Sequence, residues 1–154
     1  MTTAQLARLI ATCGGAGDLR PGPGTWGSLV GLVLAVLLMW GAGAAATLIA
    51  AVISFAAGLW ASGVYARDAG LSDPSEVVID EAAAIMATVA LVPFTPICVV
   101  LAFVLFRFFD IVKPWPVSLA ERRLKGALGI MADDAVAAAL SIGVIWLVHH
   151  FLLA

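Results

Sequence analysis

The chain has 154 residues, 63% of them hydrophobic and only 12% charged, with a mean hydropathy of +1.10. An ordinary soluble domain carries roughly twice that share of charge, so the composition excludes one and indicates an integral membrane protein. A net charge of −2 offers no basic surface to nucleic acid, and the apolar segments lie too close together to admit a second folded unit, so residues 1–154 are expected to form one all-α membrane domain.

Residues Thr2 to Thr12 suit a short interfacial helix, with Leu6, Leu9 and Ile10 on one face and Arg8 near the other. The segment is too short, and too interrupted by Arg8, for the apolar core of a cleavable leader, and none is expected. Cys13 and Cys98 are expected at opposite membrane faces, out of reach of a disulfide. The spacing from Cys13 to Arg20 is one residue longer than the loop of cysteine-dependent phosphatases requires, so Cys13 is read as a small inert residue beside a glycine turn. Gly14 to Gly24 carries five glycines and two prolines and is a loop. It ends in PGTWGS, Pro23 to Ser28, where Thr25 can cap a helix whose free amides suit phosphate; a tight entry turn would have the same composition.

No charge occurs from Trp26 to Ala66, a run too long for one span and divided at Gly41-Ala42-Gly43. Two helices are expected, about Thr25 to Trp40 and Gly43 to Tyr65, with Gly58 and Gly63 serving close packing in the second. A polar loop follows. Asp80 and Glu81 then open a third helix running to about Val92. Acidic residues favour a helix start, and adjacent carboxylates at a membrane entrance equally suit metal or phosphate chemistry. After a turn at Pro93 to Pro96, a fourth helix ends in FRFFDIVKPWP, Phe106 to Pro116. Arg107 and Asp110 share a face there, and Pro114 fixes Lys113 at the helix exit. Snorkelling charges beside an anchoring Trp115 would read the same way. Ser118 to Lys125 is expected to be a solvated basic segment near lipid headgroups. Asp133 and Asp134 form a second acidic doublet, expected at the start of a fifth helix, Ala135 to Leu153.

About five membrane helices with alternating direction put all eight Lys and Arg residues, and all ten Asp and Glu residues, at one face. The positive-inside rule makes that face cytoplasmic and sends His149 and His150 to the other side, away from the acidic clusters. Without a placed histidine or cysteine, the oxygen-rich set favours magnesium, with phosphate as its natural companion.

PGTWGS at Pro23 to Ser28, IDE at Ile79 to Glu81, FRFFDIVKPWP and GIMADD at Gly129 to Asp134 together resemble the phosphatidylglycerophosphatase A family, in its order and spacing, over about Gly14 to Ala139. The resemblance implies a multi-pass protein of the bacterial inner membrane. It also implies magnesium-dependent removal of the terminal phosphate of phosphatidylglycerophosphate, giving phosphatidylglycerol. Two departures stand out: Gly14-Gly15-Ala16-Gly17 lacks the family's aromatic and hydroxyl, and Ile79 replaces a tryptophan. On this reading Asp80, Glu81, Asp110, Asp133 and Asp134 supply the magnesium shell, Lys113 and Arg107 neutralise phosphoryl charge, and Pro23, Gly24, Thr25, Gly27 and Ser28 cradle substrate oxygens. The bundle is expected to offer the acyl chains a groove. The alternative is a small carboxylate-lined divalent-cation transporter or channel. It is disfavoured because the charges cluster at one face and leave helices one, two, four and five without a mid-membrane ionisable residue.

Overall fold

Alanine-rich, uncharged runs with few internal breakers produce seven α-helices in the computed structural model, which describes residues 1–153; Ala154 lies outside the described residues. They are α1 (Thr3–Ala11), α2 (Pro23–Gly41), α3 (Gly43–Ala69), α4 (Ile79–Leu91), α5 (Pro96–Val112), α6 (Val117–Arg123) and α7 (Gly126–Val148). A single 3₁₀ turn, Ala16–Asp18, lies between α1 and α2, and α7 runs on into a wider π-type turn, His149–Leu153. No strand occurs among the described residues. Helices α2, α3, α4, α5 and α7 lie where the sequence reading puts its helices, but not all of them have the length of a membrane span. Among the described residues, three stretches are long and apolar enough to cross a membrane: α2, α3 and the stretch Gly126–Leu152. With 13 and 17 residues, α4 and α5 reach about 20 and 26 Å, short of a hydrocarbon core about 30 Å thick.

Helix α4 is the axis of the bundle and packs against α2, α3, α5 and α7. Nine of its thirteen residues are buried, which explains how so short a helix with two acids at its start is accommodated: protein covers most of it. Close approach by α2 depends on Gly27 and Gly31. A Cβ at Gly27 would stand 2.5 Å from Val78 Cβ, and one at Gly31 would stand 2.6 Å from Ala82 Cα. Phe106, Ile85, Met131 and Ile145 fill the space between helices. At the far end the Trp146 indole donates to the Leu91 carbonyl at 2.8 Å, tying the ends of α7 and α4 together. At the near end Arg8 pairs with Asp18 and Arg20 with Glu76.

Three boundaries differ from the sequence reading. Gly22, in the left-handed region at φ 70°, precedes α2, and Pro23 is the first helical residue, so Thr25 is inside the first turn and caps nothing. Ser118 to Lys125 is not a loop: Val117 is buried, and the chain coils into α6, ending on Arg122 and Arg123 where the helix dipole favours them. Helix α7 begins at Gly126, so Asp133 and Asp134 lie in its third turn. Gly129, which resembles a breaker, is helical and lacks a side chain because the Leu124 carbonyl oxygen would come within 2.6 Å of its Cβ.

Candidate active site

The start of α2, the segment before α4, the start of α4, the ends of α5 and α6, and the first turns of α7 enclose a cavity of about 680 Å³. Asp80 and Glu81 occupy the first turn of α4, where unpaired amides favour negative charge, and Asp80 Oδ1 accepts from the Glu81 amide at 3.0 Å. Asp134 comes against them from α7. One carboxylate oxygen from each of the three lies within 4.8 Å of the others. Glu81 Oε2 and Asp134 Oδ2 are buried with no hydrogen-bond partner. Buried carboxylate oxygens left unpaired are costly, and three converging acids repel one another, so this donor set fits a hard divalent cation that prefers oxygen.

Arg107 spans the edge of the acidic cluster. Its Nη1 is 2.7 Å from Asp110 Oδ2 and 3.8 Å from Glu81 Oε1, and it donates to the Ser28 hydroxyl at 3.3 Å. Ser28 in turn donates to the Gly24 carbonyl at 2.8 Å, so it holds Arg107 against α2. The Arg107 Nε is buried and unpaired. Gly24 is the residue that makes room: a Cβ there would stand 2.1 Å from Glu81 Oε1 and 3.1 Å from Arg107 Nη1.

Lys113 ends α5 in the left-handed region, at φ 47°, which turns its side chain toward α6 and α7. Its ammonium pairs with Asp133 and lies 3.4 Å from Glu121. Partial burial opposes the lysine charge, but the hydrogen bond and the charge of Asp133 outweigh it and raise the pKa above its ordinary value. Asp73 also lines the cavity; burial and the neighbouring Asp133 push its carboxyl above the usual range.

The structure therefore brings Asp80, Glu81 and Asp134 into one cluster, sets Asp110 beside it through Arg107, and assigns Asp133 to Lys113. Pro23 and Gly24 line the cavity, whereas Thr25, Gly27 and Ser28 are not among the residues lining it. Sequence reading missed Asp73 and Glu121. Both lie outside the motifs, and only the folding of the 72–77 segment and α6 over the cavity brings them in.

Cys13, in the turn after α1, points at the Val78 carbonyl, with Sγ 3.7 Å from the oxygen. Burial, reinforced by Glu81, pushes its thiol up to about 12. Both cysteines are free. Because the thiol holds its proton until pH approaches that value, Cys13 in a Cys98→Ala background should alkylate at pH 8 about a thousandfold more slowly than an exposed cysteine. Cys13→Ser should keep wild-type turnover; rapid labelling together with an inactive serine variant would restore a nucleophilic role.

The phosphatidylglycerophosphatase A family model matches residues 9–149. The chain belongs to this family. Phosphatidylglycerophosphatase A of Haemophilus influenzae is 35% identical over 146 residues, covering 94% of this chain and 90% of that protein. Phosphatidylglycerophosphatase A of Escherichia coli K12 is 32% identical, covering 92% and 83%. A Bacteroides thetaiotaomicron protein, assigned provisionally as a phosphatidylinositol-3-phosphatase, is 37% identical over 86% of this chain and 87% of its own length. No solved structure gives a significant match. As a member of the phosphatidylglycerophosphatase A family the chain is a hydrolase, a lipid phosphatase of phospholipid metabolism, and its apolar helices fit a membrane-embedded one.

Proposed function

We propose that the chain hydrolyses the terminal phosphomonoester of phosphatidylglycerophosphate at the cavity between α2, α4, α5 and α7, using magnesium held by Asp80, Glu81 and Asp134. The observation that carries this reading is the pair of buried, unpaired carboxylate oxygens, Glu81 Oε2 and Asp134 Oδ2, beside an arginine whose Nε is also unpaired. Oxygen donors and a cationic donor facing one cavity suit a phosphate and a hard cation together. When bound, magnesium supplies Lewis-acid stabilisation of phosphoryl charge and acidifies water.

The remaining work falls to the chain. Arg107, held by Asp110 and Ser28, presents a fixed guanidinium to the phosphoryl oxygens. Lys113 adds a second cation from the other side of the cavity. Gly24, in the first turn of α2, lines the same space. Asp133 and Glu121 hold the Lys113 ammonium in place, and Asp110 and Glu81 hold Arg107. Water is consumed, the P–O ester bond breaks, and the lipid hydroxyl leaves with a proton. The products are phosphatidylglycerol and inorganic phosphate. On this reading the cavity lies at headgroup depth, and the lipid reacts without leaving the bilayer; the helices of spanning length support it. The concentration of Lys and Arg at the cavity end supports a cytoplasmic orientation in a bacterial inner membrane.

Purified protein in detergent micelles should release phosphate from phosphatidylglycerophosphate with magnesium present and stop when a chelator is added. Release unaffected by chelator would remove the metal. No release by folded protein, with magnesium flux across liposomes instead, would replace the enzyme by a transporter.

A further inference from the structure

A second cavity, of about 280 Å³, opens between α3, α4 and α7. Its floor is the alanine face of α4, with Ala83 and Ala84 one turn before Ala87; Phe55 of α3 and Ala139 of α7 line its walls, and Leu91 of α4 lies at the far end from Asp80. Asp80, one of the three clustered carboxylates, lines both this trench and the charged cavity, so the two spaces meet at the candidate site. Asp80 is also the trench's only ionisable lining residue among the described residues. From Asp80 to Leu91 the α4 backbone rises about 16 Å, which matches the roughly 15 Å hydrocarbon depth of one leaflet. The two walls belong to α3 and α7, which are of spanning length, and Val52 and Ala139 on the rim are exposed.

We infer that this trench holds one acyl chain of the lipid substrate, aligned along α4 with its headgroup end at Asp80. The inference rests on the lipid-phosphatase reading and adds the subsite that sets substrate depth. Bilayer lipid is as apolar as the trench, so the chain gains little from the transfer itself. What the trench contributes is position: a chain packed along α4 fixes the depth of the acylated glycerol, and the phosphodiester and second glycerol then cross the charged cavity to bring the terminal phosphate to the acids. A shape-matched slot of small side chains suits a flexible alkyl chain better than a second copy of this helical surface, which would leave the alanine floor as a void.

The test fills the trench away from the acids. Ala139→Phe, at an exposed position, and Ala87→Phe should each lower kcat/KM for long-chain phosphatidylglycerophosphate about tenfold. Both should leave the dihexanoyl substrate unchanged, because a six-carbon chain ends short of Ala87. Equal loss on both substrates, or no loss on either, would overturn the trench while leaving the reaction in place. Wild-type protein inactive on both would sink the functional reading instead. The trench is then decided by a diacyl phosphomonoester lipid with a diazirine in its acyl chain: cross-links in peptides carrying Ala83 to Leu91 or Ala135 to Ile142 support it. Cross-links confined to other helices, or trench cross-links only between two protein copies, refute it.

Discussion

Asp134→Asn should reduce turnover by about a thousandfold, on the order of 4 kcal/mol, while leaving the thermal midpoint in detergent unchanged or raised. The opposite signs arise from one geometry. Asp134 is 3% exposed and shares a 4.8 Å cluster with Asp80 and Glu81. Its Oδ2 has no hydrogen-bond partner, so the charge is not used to hold the fold together. Arg107, the nearest cation to the cluster, is already engaged by Asp110 at 2.7 Å and Glu81 at 3.8 Å. An amide of the same shape removes one repelling charge and keeps the packing, which favours the folded state. It also removes one of the three hard oxygen donors of the proposed magnesium site. Activity and melting measured on the same preparation separate the roles: loss of both would make Asp134 structural, and activity within tenfold of wild type would take it out of the site.

The second large effect is expected at Lys113. Lys113→Ala and Lys113→Gly should both lose about a hundredfold or more in turnover, since each deletes a cation aimed into the cavity. Their stabilities should differ. Lys113 occupies the left-handed region at φ 47°, where glycine is at ease and alanine is not, so the glycine variant should melt higher by an amount worth about 1 kcal/mol. If activity follows melting temperature across the pair, Lys113 only terminates α5; if both are equally inactive, its charge is what matters. The pH dependence has a definite sign. A lysine pKa raised on folding contributes stability that is complete below the unfolded value, near 10, and is lost only above it. Between pH 6 and 9 the Lys113 pairs should therefore be constant, and any alkaline fall in activity in that range must come from another group.

Much of the site was legible because its chemistry lies in short motifs at helix ends. Asp80 and Glu81 opening a helix, Arg107 and Asp110 three residues apart, and Pro114 halting the chain after Lys113 are local patterns, and the structure has each of them. What escaped the sequence was long-range or depended on packing. The pairing of Lys113 with Asp133 crosses from α5 to α7, and nothing local indicates that Asp133 and its neighbour face different partners. The glycines at 126 and 129 resemble a turn, yet the second lies within α7 and is glycine because the Leu124 carbonyl leaves no room for a side chain. Charge density made Ser118 to Lys125 look like solvated loop, although buried Val117 anchors it as a helix. Ser28 was assigned to the substrate, whereas its hydroxyl is spent between Gly24 and Arg107.

The enclosure of α4 bears on how the protein is made. A thirteen-residue helix that begins with two acids is a poor candidate for independent release from the insertion machinery into lipid. Its binding surfaces on α2 and α3 are synthesised before it, and those on α5 and α7 after it. Biogenesis must then keep α4 beside the nascent α2–α3 hairpin until α5 and α7 arrive to close the ring. Asp80 and Glu81 thus reach their final position as part of a preassembled bundle, and truncation before α7 should leave a chain that quality-control proteases recognise as incomplete.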